Sequence, residues 1–137
     1  MKQNKQQLRC GYCGRPAVLR PASEIYHDPR KKGYVYACSH YPACDAYVSV
    51  FPGSKIPMGT LADSALRQKR IQAHQAFDQL WLSGIFSRDQ AYRWLSDKLG
   101  LPLSQTHIAL FSDYLCAQVI LESQKVLKNN RRCSCVA

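Results

Sequence analysis

Four cysteines near the start of the chain have the spacing of metal ligands: Cys10-x2-Cys13, an interval of 24 residues, then Cys38-x5-Cys44. Zn²⁺ in structural sites takes four such thiolates at the corners of a tetrahedron, and two sulfurs two residues apart fit adjacent corners when the backbone turns sharply between them. Gly11 and Gly14 are placed to ease that turn, because glycine adopts positive φ without steric cost. Tyr41 and Pro42 shape the wider second loop so that the chain doubles back. Four thiolates leave no coordination position for water, which points to a structural ion and away from hydrolysis. Scattered buried cysteines, or a redox pair at the first Cys-x-x-Cys, are the competing readings. Two pairs within one short, strand-rich segment favour a shared ion. His40, two residues past Cys38, is a rival ligand to the four-sulfur set. The expected cofactor is one structural Zn²⁺ on Cys10, Cys13, Cys38 and Cys44.

The surrounding segment needs such a staple. The 137-residue chain is 46% hydrophobic, but its first fifty residues hold few aliphatic side chains. A segment of about forty residues with so thin a core does not hold itself together. Structural zinc supplies on the order of 10 kcal/mol of binding free energy that is also folding free energy.

The elements that must position the thiols are short. Within a ribbon at residues 9–52, candidate strands are Ala17–Leu19, Glu24–Tyr26, Tyr34–Ala37 and Ala46–Phe51, separated by Pro21, Asp28-Pro29 and Gly33. Residues 52–59, with two prolines and two glycines, read as a linker. From Thr60 the apolar period becomes helical. Thr60 is the expected cap of a first helix that Gly84 ends. Ser87 caps a second, which Gly100 and Pro102 stop, and Ser112 caps a third that runs to about Leu127. Trp81 and Trp94 read as packing anchors, Cys116 as a buried thiol, and His107 as making a buried or capping hydrogen bond. Cys133 and Cys135 are too close for an ordinary disulfide with each other; a second zinc or a cross-link to another chain is the alternative. The expected fold is α+β: a small N-terminal β zinc ribbon at 9–52 and a C-terminal bundle of about three helices at 60–128. Flexible basic tails are expected at 1–8 and 129–137.

Two resemblances bear on this layout. Cys10-Gly-Tyr-Cys13-Gly-Arg-Pro-Ala-Val-Leu, followed by Tyr36-Ala-Cys38-Ser-His-Tyr-Pro-Ala-Cys44, resembles the C-terminal zinc ribbons of bacterial type I topoisomerases. The resemblance covers residues 9–48 and implies zinc on the four cysteines and contact with single-stranded DNA. A longer insert, containing Ile25-Tyr-His-Asp-Pro-Arg-Lys-Lys32, departs from that pattern. The chain has no room for a topoisomerase catalytic domain, so that activity does not transfer. Residues 9–122 are similar to small phage and bacterial zinc-finger-containing proteins. There the same ribbon precedes a Pro-Gly-[Ser/Thr]-Lys-x-Pro-x-Gly-Thr-Leu-Ala-Asp segment, matched here at 52–63, and a helical tail. That similarity implies an architecture, and function lives in sites, not in folds.

Charge indicates the class of partner. The chain carries 19 Lys and Arg against 9 Asp and Glu, a formal net charge of +10. The excess is shared, with 8 bases against 3 acids in residues 1–52 and 11 against 6 in residues 53–137. Such a balance favours a polyanionic partner, most often nucleic acid. Candidate contacts in the ribbon are Arg15, Arg20, Arg30, Lys31 and Lys32 for phosphates, with Tyr34, Tyr36 and Tyr41 for base stacking. Half of the ribbon tyrosines are expected to form a mini-core instead. Arg67, Lys69 and Arg70 with His74 make a second basic strip on the first helix, of which Arg67 and Arg70 are the candidate contacts, with a solvated helix face as the alternative. The acid–base pairs, phosphate-binding glycine loop, nucleophile elbow and His-Glu-x-x-His of common enzymes are missing from the sequence, so a non-enzymatic protein is expected. No apolar run is long enough to span a membrane, and the polar first residues lack a signal-peptide stretch, so a cytoplasmic setting is expected. The expected function is a zinc-ribbon nucleic-acid-binding protein of phage or prophage type, acting on single-stranded or structured DNA or RNA. The alternative is a protein-interaction module that docks on a host enzyme. Oligomeric state is left open.

Overall fold

The computed structural model of the protein describes residues 8–134. The expected basic start before Leu8, together with Cys135, lies outside the described residues, as do the side chains of Arg131, Arg132 and Cys133. The fold is α+β. The chain separates into two compact units, the first ending at Ala65 and the second starting at Leu66.

In the first unit, β1 (Ala17–Pro21), β2 (Tyr34–Cys38) and β3 (Tyr47–Ser49) form an antiparallel sheet in the order β1-β2-β3. Its register aligns Leu19 with Tyr36 and Tyr36 with Val48. Side chains alternate between faces along each strand, so the sheet sorts its residues into two small clusters. Ala17, Cys38 and Val48 pack with Cys10, Ala46 and Leu61 on the metal side. Val35 and Ala37 pack with Ala22 and Ile25 on the other.

Ala22 and Ile25 sit on α1 (Ala22–Tyr26), where the sequence pattern predicted a strand at Glu24–Tyr26. Pro21 at the N-cap has its ring-fixed φ of −58° ready for a helix. The i,i+3 pair Ala22 and Ile25 then lies on one face, over β2. His27 ends the turn in the left-handed region with φ 53°, its N–H donating to the Ser23 carbonyl.

Residues 52–59 are likewise built into the first unit and are not a linker. After β3 the chain turns and returns along it, with isolated bridges Val50–Pro57 and Tyr47–Ala62. The Met58 N–H donates to Ser49 O at 2.9 Å, and Tyr47 and Ala62 exchange two bonds at 3.0 Å. The helix begins four residues after Thr60, at Ser64, whose N–H donates to Asp45 Oδ2 at 3.2 Å.

The second unit packs α2 (Ser64–Leu82, from Leu66), α3 (Arg88–Leu99) and α4 (Asp113–Ser134) around one core. That core holds Ala73, Phe77 and Leu80 of α2, Ala91 and Leu95 of α3, and Cys116 and Val119 of α4, with Ile108 and Phe111 from the connection. Trp81 and Trp94 pack against it, and Cys116 is a buried thiol, as expected. Ser87 caps α3 through a reciprocal box: its N–H donates to Gln90 Oε1 at 2.9 Å, and Gln90 N–H donates to Ser87 Oγ at 3.2 Å. Gly100, with φ 65°, ends α3 in the left-handed conformation. Two 3-10 turns, Leu103–Gln105 and Ile108–Leu110, fill the span before α4. His107 is exposed before the second turn and makes no side-chain cap. α4 continues to Ser134, beyond the predicted end near Leu127, so residues 129–134 are helical.

Candidate metal centre and the surface beside it

Two knuckles bring the thiols together. In the first, Gly14 N–H donates to Cys10 O and Cys10 N–H to Arg15 O, both at 2.9 Å. Gly14 takes φ 73°, while Gly11 needs no left-handed conformation. In the second, Tyr41 N–H donates to Cys38 O at 2.8 Å and Cys44 N–H to His40 O at 3.1 Å, across a cis Tyr41–Pro42 bond. The sheet fixes the knuckles against each other, because Ala17, just after the first, pairs with Cys38 in the second.

The four sulfurs lie within 4.8 Å of one another. Cys13 Sγ is 3.3 Å from Cys38 Sγ, and Cys10 Sγ is 3.6 Å from Cys44 Sγ. A tetrahedral zinc with Zn–S of about 2.3 Å requires sulfurs about 3.8 Å apart. The set fits one closed, four-thiolate ion. His40 is exposed and stands outside this set. Cys10 and Cys38 are 2% and 1% exposed, Cys44 is half-buried and Cys13 faces solvent.

Without an ion the thiols are not equivalent. The Arg15 backbone N–H and then the Cys38 thiol hold Cys13 down to about 6. Burial pushes Cys38 up to about 12. At Cys44 the Ala46 N–H pulls down, but burial and the neighbouring Cys10 thiol outweigh it, and the net direction is up. Cys13 is the ready thiolate; Cys38 and Cys44 must surrender protons when a metal enters.

Residues 6–126 match the model of a family described as a zinc-finger-containing domain, DUF3268. The chain belongs to this family. Comparison with curated proteins and with solved structures finds no match. In this zinc-finger-containing domain, Cys10, Cys13, Cys38 and Cys44 are the residues that would hold one structural zinc, and their geometry fits it. The ion's contribution is to tie the two knuckles together; the thiolates hold it and leave it no open position.

The remaining predicted contacts divide by placement. Arg15, Arg30, Lys31, Lys32 and Tyr34 are exposed on the zinc-finger unit. Arg20 is half-buried and engaged locally, 3.2 Å from Glu24 and 5.4 Å from the centroid of the half-buried Tyr41 ring. Tyr36 belongs to the mini-core beside the metal and donates its hydroxyl to Lys55 O at 2.7 Å. Arg67 is half-buried. Arg70 corrects the expected basic strip: it is 9% exposed, and its Nε donates to Phe111 O at 3.1 Å inside the helical unit.

Sequence reasoning missed a groove of about 360 Å³ on the zinc-finger unit, lined among others by Tyr26, Lys31, Lys32, Gly33, Tyr34 and Gly53. A second hollow of about 500 Å³ adjoins it, sharing Gly33, Tyr34 and Gly53 and adding Ser54 and Lys55. Its far wall comes from residues that composition alone marks as a linker.

No helix among the described residues is long and apolar enough to cross a membrane.

Proposed function

We propose that this zinc-finger-containing domain is a non-enzymatic nucleic-acid-binding protein that engages single-stranded or structured DNA or RNA through its zinc-held unit. The observation that carries the reading is a one-sided charge display. The three acids of residues 9–52 are each engaged: Glu24 with Arg20, Asp28 with Arg30, and Asp45 with the Ser64 N–H. The Arg30 backbone N–H, and then its guanidinium, hold the Asp28 carboxyl below its ordinary range. Arg15, Lys31 and Lys32 form no ion pair among the described residues, although Lys31 attracts the Asp28 carboxylate at longer range. Cations on a rigid platform, interleaved with exposed tyrosine, suit a phosphate backbone with accessible bases. The likeness of residues 9–48 to topoisomerase ribbons supports single strands, and that of residues 9–122 to phage proteins supports a phage or prophage setting.

Gel shifts with single-stranded, duplex and hairpin oligonucleotides, with and without chelator, test the reading. Zinc-loaded protein is expected to bind with log K falling on log salt at a slope of about −2 to −3, for three to four phosphate contacts on a single strand. Chelation is expected to abolish binding. Zinc-loaded protein that shifts none of the three probes would overturn the proposal. A discrete protein complex that survives nuclease treatment would then replace it with docking on a host protein.

A further inference from the structure

We infer that the paired hollows beside Tyr34 are a binding site for two successive unpaired nucleotides, with Tyr34 as the stacking platform and Lys31, Lys32 and Lys55 as phosphate contacts. The inference rests on the nucleic-acid reading above and gives it a place and a ligand class.

Tyr34 lines both hollows. It is 44% exposed, begins β2, and has its backbone fixed by pairing with Pro21. Its ring has no aromatic or cationic neighbour among the described residues. Tyr26, on the groove's other side, is held instead. It meets Tyr47 edge-on at 5.8 Å, its hydroxyl lies 3.3 Å from Ser49 Oγ, and Lys31 Nζ sits 5.5 Å from its ring centroid. One wall is therefore a fixed ring with a cation poised over it, and the shared wall is an exposed tyrosine ring without a ring or cation partner. Open π-faces stack any unpaired base, whereas a paired base has no face to give.

The floor and charge agree with this ligand. Gly33 and Gly53 line both hollows in left-handed conformations, φ 87° and 73°, and put no side chain into them. Both hollows fall within the ordinary size range of ligand sites. No acid lines either one, while Lys31 and Lys32 border the first and Lys55 the second. Cations at both ends of a continuous track, with an aromatic ring between, match consecutive phosphates with a base between them. An acidic peptide would satisfy the lysines but leave the tyrosine face unused.

Fluorescence anisotropy of the zinc-loaded full chain decides the matter with three labelled probes: dT12, a 12-mer of abasic sugar-phosphate, and a 12-base-pair duplex. Wild type is expected to prefer dT12 over the abasic strand by about tenfold, the range of one stacked base. Tyr34→Ala should erase that preference, Tyr34→Trp should keep it, and both should retain one zinc per chain. The double variant Lys31→Gln, Lys32→Gln should flatten the salt slope on dT12 by about 1.4. If Tyr34→Ala loses its zinc, photocross-linking of 5-iododeoxyuridine 12-mer to wild type serves instead, with adducts expected on Tyr34 or Tyr26. Binding of dT12 with the preference intact in a zinc-loaded Tyr34→Ala, or adducts only elsewhere, overturns this site and leaves the nucleic-acid reading standing. Equal affinity of wild type for dT12 and the abasic strand, or tighter binding of the duplex, also overturns the site. Binding of none of the probes overturns both.

Discussion

The two units reach a folded state by different means. The helical unit buries nine residues in one cluster, among them the side chains of Phe77, Leu80, Leu95 and Phe111. The zinc-finger unit has two smaller clusters, of six and four buried residues, on opposite faces of three short strands, and two of the six are the ligands Cys10 and Cys38. Fully burying a large apolar side chain contributes about 1.5–3 kcal/mol, and the second unit has several such side chains in contact. The first has Leu61 in one cluster and Ile25 in the other, with alanines, valines and sulfur around them. Its cohesion is delegated to an ion, so the outer faces of its strands and loops are released for other work. Tyr12, Tyr26 and Tyr34 are exposed on those faces.

The sharpest way to break this comparison is to remove the ion. Cys38→Ser, or a strong chelator, is expected to take away on the order of 10 kcal/mol from the first unit and unfold residues 9–62. The helical signal of α2, α3 and α4 should persist in far-ultraviolet circular dichroism. A zinc-free variant with native amide protection in β2 would contradict the division.

The mirror experiment is Phe77→Ala. Phe77 is fully buried in the helical core and meets Tyr92 edge-on at 5.0 Å. Its loss should cost about 3–5 kcal/mol, lowering the helical melting transition while metal content stays stoichiometric. Zinc loss in step with helix loss would mean that the units stand or fall together.

Acid sharpens the same contrast, since it acts on the thiols and not on an apolar core. Burial holds Cys38 protonated in the metal-free state up to about 12, and Cys44 is also shifted upward. Zinc entry must expel at least these two protons at neutral pH. Protons leave on binding, so affinity rises with pH and falls as pH drops. The expected change is at least about a hundredfold per pH unit, the effect of two protons. Competition with a chromophoric chelator at pH 6, 7 and 8 measures it, and a pH-independent affinity would refute the assignment.

What the sequence disclosed follows the same divide between local chemistry and long-range pairing. The ligand set was legible because four thiols at knuckle spacing identify themselves by type. The Ser87 cap and the Gly100 stop were legible because each acts within four residues. The strand expected at Glu24–Tyr26 is a helical turn because Ala22 and Ile25 need the β2 face, which lies some ten residues on and leaves no mark on the local pattern. The prolines and glycines of residues 52–59 read as a linker, because nothing in their composition states that the chain runs back along β3. Arg70 reads as a surface cation by type; only the fold supplies the Phe111 carbonyl that draws it inside. Asn129-Asn130-Arg131-Arg132 has no apolar stripe to reveal that α4 continues through it.

The smallest effect tests whether the helical unit also depends on local chemistry. Ser87 accepts from Gln90 N–H and its own N–H is satisfied by the Gln90 side chain, so one residue closes two of the donors that a helix start leaves open. Ser87→Ala removes the hydroxyl but keeps the backbone donor to Gln90 Oε1, so only half of the box is lost. The expected cost is about 1 kcal/mol, a fall of some 4–8 °C in the melting temperature of a unit of this size. Zinc stoichiometry and the spectrum of a cobalt-substituted site should not change, because the ligands and their knuckles lie in the other unit. A drop much beyond this would show that α3 is held chiefly by its first turn, and the claim that a nine-residue core stabilises the helical unit would have to give way.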